Sequence, residues 1–224
     1  MEPNKYILAL DAGTTSNRAI LFDKDARMVA SSQQEFPQKY PKPGWVEQSA
    51  EDIWESMRSV AQQAIADAHI HPTQIAGIGI ANQRETTIVW DKDSGKPIYN
   101  AIVWQCRRTA DYIEAKRSAS GVETMVKKKT GLILDPYFSA SKIAWILENV
   151  EGAMDKAIAG NLLFGTVETW LVYKLTGGTL HITDYSNASR TCLFNIHELG
   201  WDEDLLNLFG IPRTMLPRPG SNCE

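Results

Sequence analysis

Short apolar runs alternate with turn residues through residues 6–36. Tyr6-Ile7-Leu8-Ala9-Leu10 is apolar enough for a buried strand, and Gly13 to Asn17 carries turn chemistry. Arg18-Ala19-Ile20-Leu21-Phe22 is a second run, Lys24 to Arg27 a second turn, and a third strand starts near Met28. Connections this short make the strands antiparallel neighbours. Residues 37–44 hold three prolines and a glycine and predict a loop. Ser49, with Asp52 three residues on, predicts a helix start. Ile53, Met57, Val60, Ala64 and Ala68 then fall on one helical face, and Pro72 ends the pattern.

Ala76-Gly77-Ile78-Gly79-Ile80-Ala81 predicts a central strand whose glycines admit a closely packed helix. Thr86 to Trp90 and Ile98 to Trp104 predict two more strands around a turn at Lys92-Asp93-Ser94-Gly95. Residues 107–175 read as mostly helical, with one apolar face from Ile143, Ile146, Leu147 and Val150 and another from Val167, Leu171, Val172 and Leu175. A last helix is predicted near Asp202 to Phe209, and Arg218 to Glu224 reads as a linker with neither helix nor strand. The class is α/β: a mixed sheet flanked by helices, with a helical insertion.

Charge narrows the function. The 224 residues carry 23 Lys plus Arg against 27 Asp plus Glu, a formal net charge of -4, which argues against a general nucleic-acid or anionic-membrane binder. No apolar run approaches the roughly 18 residues of a membrane span, and Met1 to Lys5 lacks the basic stretch of a signal peptide. Three cysteines (Cys106, Cys192, Cys223), without a CxxC pair, predict reduced thiols and a cytoplasmic protein. The histidines lack metal-ligand spacing within one element, apart from His69 and His71, which read as a helix end. Arg107-Arg108 and Lys127-Lys128-Lys129 read as solvated helix faces.

Four stretches can carry chemistry. In Asp11-Ala12-Gly13-Thr14-Thr15-Ser16 an aspartate ends a strand, and a glycine and three hydroxyls follow in a turn. Backbone N–H groups on such a turn suit a phosphate, Arg18 lies within reach to neutralise it, and Asp11 can hold a magnesium ion through water. The same residues also fit a capped hairpin turn. In Asn82-Gln83-Arg84-Glu85-Thr86-Thr87, Arg84 donates and Glu85 accepts, a pair suited to the hydroxyls of a polyol. Neighbours in a strand point to opposite faces, so that clamp needs a bend here; without one the pair is a solvated strand end. Trp90, Trp104, Tyr137 and Phe138 can wall a carbon chain or simply fill a core. Thr183 to Thr191 is densely polar and reads as a loop feeding the apolar Cys192-Leu193-Phe194.

Taken together, Asp11 to Ser16, Tyr40 to Glu47, Asn82 to Trp90, Tyr99 to Gln105, Phe164-Gly165-Thr166 and Thr183 to Phe194 resemble the FGGY carbohydrate kinases, and among them the glycerol-phosphorylating members. The resemblance runs over nearly the whole chain. It implies a ribonuclease H-like, actin-type fold and a two-domain kinase, of which residues 1–224 match the N-terminal, glycerol-binding domain, ending near the inter-domain linker. It implies ATP and Mg2+ as cofactors, glycerol as substrate, and phosphoryl transfer giving glycerol 3-phosphate. By position, Thr14, Thr15, Ser16 and Arg18 would meet nucleotide phosphates and Asp11 the metal. Arg84, Glu85 and Tyr137 would hydrogen-bond glycerol, and Trp104 would wall its carbon chain. The adenosine pocket and the general-base aspartate would lie beyond residue 224, so little turnover is expected of the chain alone. Another sugar kinase of the family and a non-catalytic polyol- or phosphate-binding fragment are the alternatives, and a homo-oligomer of the full-length enzyme stays open. The family usually places glutamine where this chain has Ala12.

Overall fold

The structure is a computed structural model describing residues 5–222. Cys223 and the end of the linker reading lie outside the described residues. Along the chain come β1 (Tyr6–Ala12), β2 (Ser16–Phe22), β3 (Met28–Glu35), the short β4 (Gln38–Lys39) and β5 (Glu47–Gln48), α1 (Ala50–Asp67) and β6 (Ile75–Asn82). Then follow β7 (Ile88–Asp91), β8 (Ala101–Ile102), α2 (Ala110–Arg117), α3 (Val122–Thr130), α4 (Ser139–Asn149), α5 (Ala153–Ile158), β9 (Leu162–Gly165) and α6 (Val167–Leu175). The chain finishes with β10 (Ile182–Asp184), α7 (Tyr185–Ala188), β11 (Phe194–Asn195), β12 (Gly200–Trp201), α8 (Glu203–Phe209) and β13 (Arg218–Gly220). These elements form two compact units, one drawn from residues 5–38 and 49–83, the other from residues 39–48 and 84–222.

The first unit is a four-stranded sheet in the order β3-β2-β1-β6. β1, β2 and β3 are antiparallel, as their tight turns require, while β6 returns parallel to β1 after the crossover through α1. The Ser49 hydroxyl caps α1 by accepting from the Asp52 N–H at 3.1 Å. Ile53, Met57, Val60 and Ala64 bury against Leu8, Leu10, Ala19 and Leu21 of the sheet; Ala68 lies past the helix end and is only half-buried. Asn17, expected in the turn, is instead a fully buried β2 residue whose Nδ2 donates to the Ile53 carbonyl (2.8 Å) and the Ser56 hydroxyl (2.7 Å). The expectation of a central strand at residues 76–81 is corrected. Among the described residues β6 is an edge strand, Ile78 is 49% exposed, and a Cβ on Gly79 would meet nothing within 4 Å. The physical reason is that α1 packs over β2 and β3 and leaves β6 uncovered.

The second unit surrounds one apolar core that includes Val89, Ile102, Ile143, Ile146, Leu147, Phe164, Phe194 and Leu205. Several expectations change here. The strand predicted at residues 98–104 shrinks to Ala101–Ile102, which pairs with Glu47–Gln48. The helical stretch is interrupted by β9, antiparallel to β7, because Leu162-Leu163-Phe164-Gly165 is buried throughout. In α6 Val167 and Leu171 are buried as the spacing implied, but Leu175 is 44% exposed, and Trp170 and Tyr173 are buried as well. Asp184 starts a short helix, α7, inside the stretch read as a loop, its carboxylate accepting from the Asn187 N–H at 2.6 Å. The supposed linker contains a strand: β13 runs parallel to β10. His71 lies beyond the end of α1 and caps the following 3-10 turn Pro72–Gln74. Among the described residues no helix is long and apolar enough to cross a membrane.

Candidate functional site

The candidate phosphate turn lies in the first unit, between β1 and β2. The Gly13 N–H donates to the Ser16 carbonyl at 3.0 Å and closes the turn. A Cβ on Gly13 would stand 2.8 Å from the Ser16 carbonyl oxygen, so only glycine lets the backbone approach this closely. Asp11 and Thr15 are exposed, and Thr14 and Ser16 half-buried. Arg18 is the cross-strand partner of Asp11. Its guanidinium donates to Gln33 Oε1 at 3.0 and 2.5 Å, and Gln33 Nε2 donates to the Ser16 hydroxyl at 2.9 Å. A neutral amide thus engages the Arg18 cation on an exposed surface. Among the described residues no group of three or more His, Cys, Asp or Glu could hold a metal ion by itself.

The candidate polyol residues lie in the second unit. The chain bends at this point: Glu85 has φ +64, in the left-handed region, and the Thr86 N–H folds back to the Arg84 carbonyl at 2.8 Å. Arg84 is exposed and Glu85 is 2% exposed, so the two neighbours lie in different surroundings. The strained position is held at its carbonyl by the Ser139 hydroxyl (3.0 Å) and the Thr87 hydroxyl (3.1 Å). Arg190 Nε donates to Glu85 Oε1 at 2.6 Å. The Arg190 guanidinium also stands 4.9 Å from the Phe138 ring centre and 5.7 Å from that of Tyr137. Tyr137 and Trp104 pack with ring centres 5.4 Å apart, both half-buried, and the Trp104 N–H donates to the Thr86 hydroxyl at 3.2 Å. Arg190 thus joins Glu85 to Tyr137. Trp90 does not belong to this group. It is fully buried against Trp170, Tyr173 and His181, a core residue.

Two supporting features escaped the sequence reading. Lys142 is fully buried, and its Nζ donates to the carbonyls of Pro136, Tyr137 and Phe138 at 2.6, 2.6 and 3.1 Å, pinning the segment that carries Tyr137. Burial pushes the Lys142 ammonium down to about 7. Against this stand the three carbonyls, each accepting one N–H, of which a neutral amine has only two. The signal was available, because Ser139, Lys142 and Ile146 fall on one helical face. The second feature corrects Arg108, expected on a solvated face. Its side chain is 0% exposed, donates to Glu47 Oε1 at 2.6 Å, and lies over the rings of Trp45 (3.9 Å) and Trp145 (4.5 Å). Burial pushes Glu47 up, but donors from Asn100, Arg108 and Tyr99 outweigh it and hold the carboxyl below its usual range. Of the basic run, Lys129 also leaves solvent in part, donating to Asp202 and Asp204. Elsewhere Glu168 accepts from the hydroxyls of Thr166, Thr169 and Thr183, and burial raises it to about 7. Cys106 and Cys192 are free and buried.

A family model described as the FGGY family of carbohydrate kinases, N-terminal domain, matches residues 6–221. The chain belongs to this family. Similar FGGY relatives include the glycerol kinase of Geobacillus sp. (strain WCH70), 58% identical over 98% of this chain and 44% of the relative. The glycerol kinase of Pseudothermotoga lettingae is 63% identical over 95% of this chain and 42% of the relative. The chain thus spans less than half the length of these relatives. Among solved structures, Plasmodium falciparum glycerol kinase with ADP superposes with a TM-score of 0.91 at 36% identity, over 99% of this chain and 44% of that one. A gluconate kinase from Lactobacillus acidophilus (TM-score 0.86, 23% identity, 97% of this chain and 42% of that one) shares the fold. The expected ribonuclease H-like, actin-type α/β fold is that of the family.

Proposed function

We propose that this chain carries the glycerol-holding part of an ATP-dependent kinase that converts glycerol and Mg-ATP to sn-glycerol 3-phosphate and ADP. The observation that supports it best is Glu85: a buried carboxylate in a strained turn, its Oε1 engaged by Arg190, close to the Trp104–Tyr137 pair through the same arginine. In this reading Glu85 accepts from one glycerol hydroxyl, Arg84 and Tyr137 donate to neighbouring hydroxyls, and Trp104 lies along the carbon chain. A site that pairs hydroxyls with buried polar groups rejects analogues lacking one by factors on the order of 10⁴. Identity of 58–63% to glycerol kinases favours glycerol over the sugar acids and pentuloses of more distant relatives.

Thr14, Thr15, Ser16 and Arg18 would meet the nucleotide phosphates, with the Gly13 turn giving the backbone room to approach. Asp11 would hold Mg2+ through water, and the ion would neutralise charge on the phosphates. Residues 1–224 would form the family's N-terminal, glycerol-binding domain. No residue is assigned as general base: Asp184 is occupied in capping α7, and Asp11 serves the metal. Phosphoryl transfer depends on positioning and charge stabilisation in a water-poor cleft. The 224 residues alone are therefore expected to bind glycerol but to turn over far below roughly 1 s⁻¹, an ordinary enzyme rate.

Two measurements test this. A melting-temperature titration should show stabilisation by glycerol, and a coupled ATP–glycerol assay should show almost no turnover. The substitution Glu85→Gln should weaken glycerol binding far more than any Mg-ATP binding. Equal losses in both would count against the assignment.

A further inference from the structure

We propose that Arg190 is the positioning residue of the polyol site, orienting Glu85 so that one carboxylate oxygen is committed to the protein and the other is presented to substrate. This rests on the glycerol reading above and adds to it a residue that touches no substrate. The geometry is asymmetric. Arg190 Nε bonds Oε1 at 2.6 Å, and among the described residues no hydrogen bond to Oε2 accompanies it. The Glu85 side chain is 3% exposed and that of Arg190 is 26% exposed, so the cation closes one flank of the carboxylate.

The backbone of Glu85 is fixed independently. Its left-handed φ and the hydroxyls of Ser139 and Thr87 on its carbonyl set where the side chain starts. A glutamate has three side-chain torsions, and a buried carboxylate without a partner is costly. Arg190 removes both problems with one charge-assisted bond. Its own position is fixed from two sides: the guanidinium packs near the rings of Phe138 and Tyr137, and its backbone N–H donates to the Asn187 carbonyl at 3.0 Å. Arg190 bonds Glu85 and lies 5.7 Å from the Tyr137 ring centre, so it stands beside both the proposed hydroxyl acceptor and the residue proposed as donor.

The test is a double-mutant cycle on the 224-residue chain, with glycerol affinity measured by calorimetry for wild type, R190Q, R190K, E85Q and E85Q/R190Q. R190Q should weaken glycerol binding roughly tenfold to a hundredfold. R190K, which keeps the cation and the apolar stem, should fold even if R190Q does not, and should fall between wild type and R190Q. In the E85Q background R190Q should change affinity by less than about twofold, since the group it orients is gone. A merely structural arginine would lower affinity by the same factor in both backgrounds. That result, or wild-type affinity in both Arg190 variants, overturns the assignment while leaving the glycerol reading standing. A wild-type chain that binds no glycerol overturns the glycerol reading and this assignment with it.

Discussion

Replacing Arg108 by methionine leaves the Glu47 carboxylate buried with two of its three donors, Tyr99 (2.8 Å) and Asn100 (2.7 Å), and without its counter-charge. Removing one partner of a buried ion pair costs about 3–5 kcal/mol, because the remaining charge is uncompensated. Two close cation–π contacts disappear as well, each worth up to about 2 kcal/mol when desolvated. Methionine recovers part of this through sulfur–ring contacts of about 0.3–1.5 kcal/mol. The net expectation for R108M is a loss of about 3–5 kcal/mol, or a fall of about 6–20 °C in melting temperature at about 2–4 °C per kcal/mol. E47L/R108M, which removes both charges, should be less destabilised than R108M alone. Urea unfolding followed by tryptophan fluorescence reads this directly, since Trp45 and Trp145 flank the guanidinium. A pH series adds a second arm. The folded state holds Glu47 below its ordinary range, so its contribution is present above the unfolded pKa and lost as pH falls through the folded one. R108M should move that loss to higher pH. A cost below about 1 kcal/mol, far under the expectation for a broken buried pair, or a double variant equal to the sum of the singles, would refute the reasoning.

Glu168 gives the opposite pH sign: raised to about 7 from 4.5, its contribution is complete below about pH 4.5 and lost as pH rises through about 7. The wild-type unfolding free energy should therefore fall by about 3 kcal/mol across that window relative to E168Q, and parallel pH profiles would exclude the effect. In G165A the new Cβ would lie 2.6 and 2.7 Å from Thr169 and 3.0 Å from the Trp90 ring, so a loss of about 1–3 kcal/mol is expected by thermal unfolding. K142M strands three carbonyls, of Pro136, Tyr137 and Phe138, that the lysine now engages. It should cost about 1–3 kcal/mol in urea unfolding and speed amide exchange around Tyr137; unchanged exchange there would contradict its pinning role.

The sequence alone determined the antiparallel meander β1-β2-β3, the capped helix α1 and the set of polar stretches worth suspecting. These rest on local physics: strand alternation, turn residues and an N-cap are readable within a few positions. It also determined kinship, because motifs spread over the chain keep their spacing. Tertiary structure decided what depends on distant neighbours. Arg108 reads as solvated until the rings of Trp45, Tyr99 and Trp145 enclose it. The run at residues 76–81 has the composition of a central strand, but its place at the sheet edge depends on which other strands pair with it. The link between Glu85 and Arg190 spans 105 positions. No local pattern encodes such a pairing, because a charge finds its partner only after two independent backbone segments have been packed against the same core.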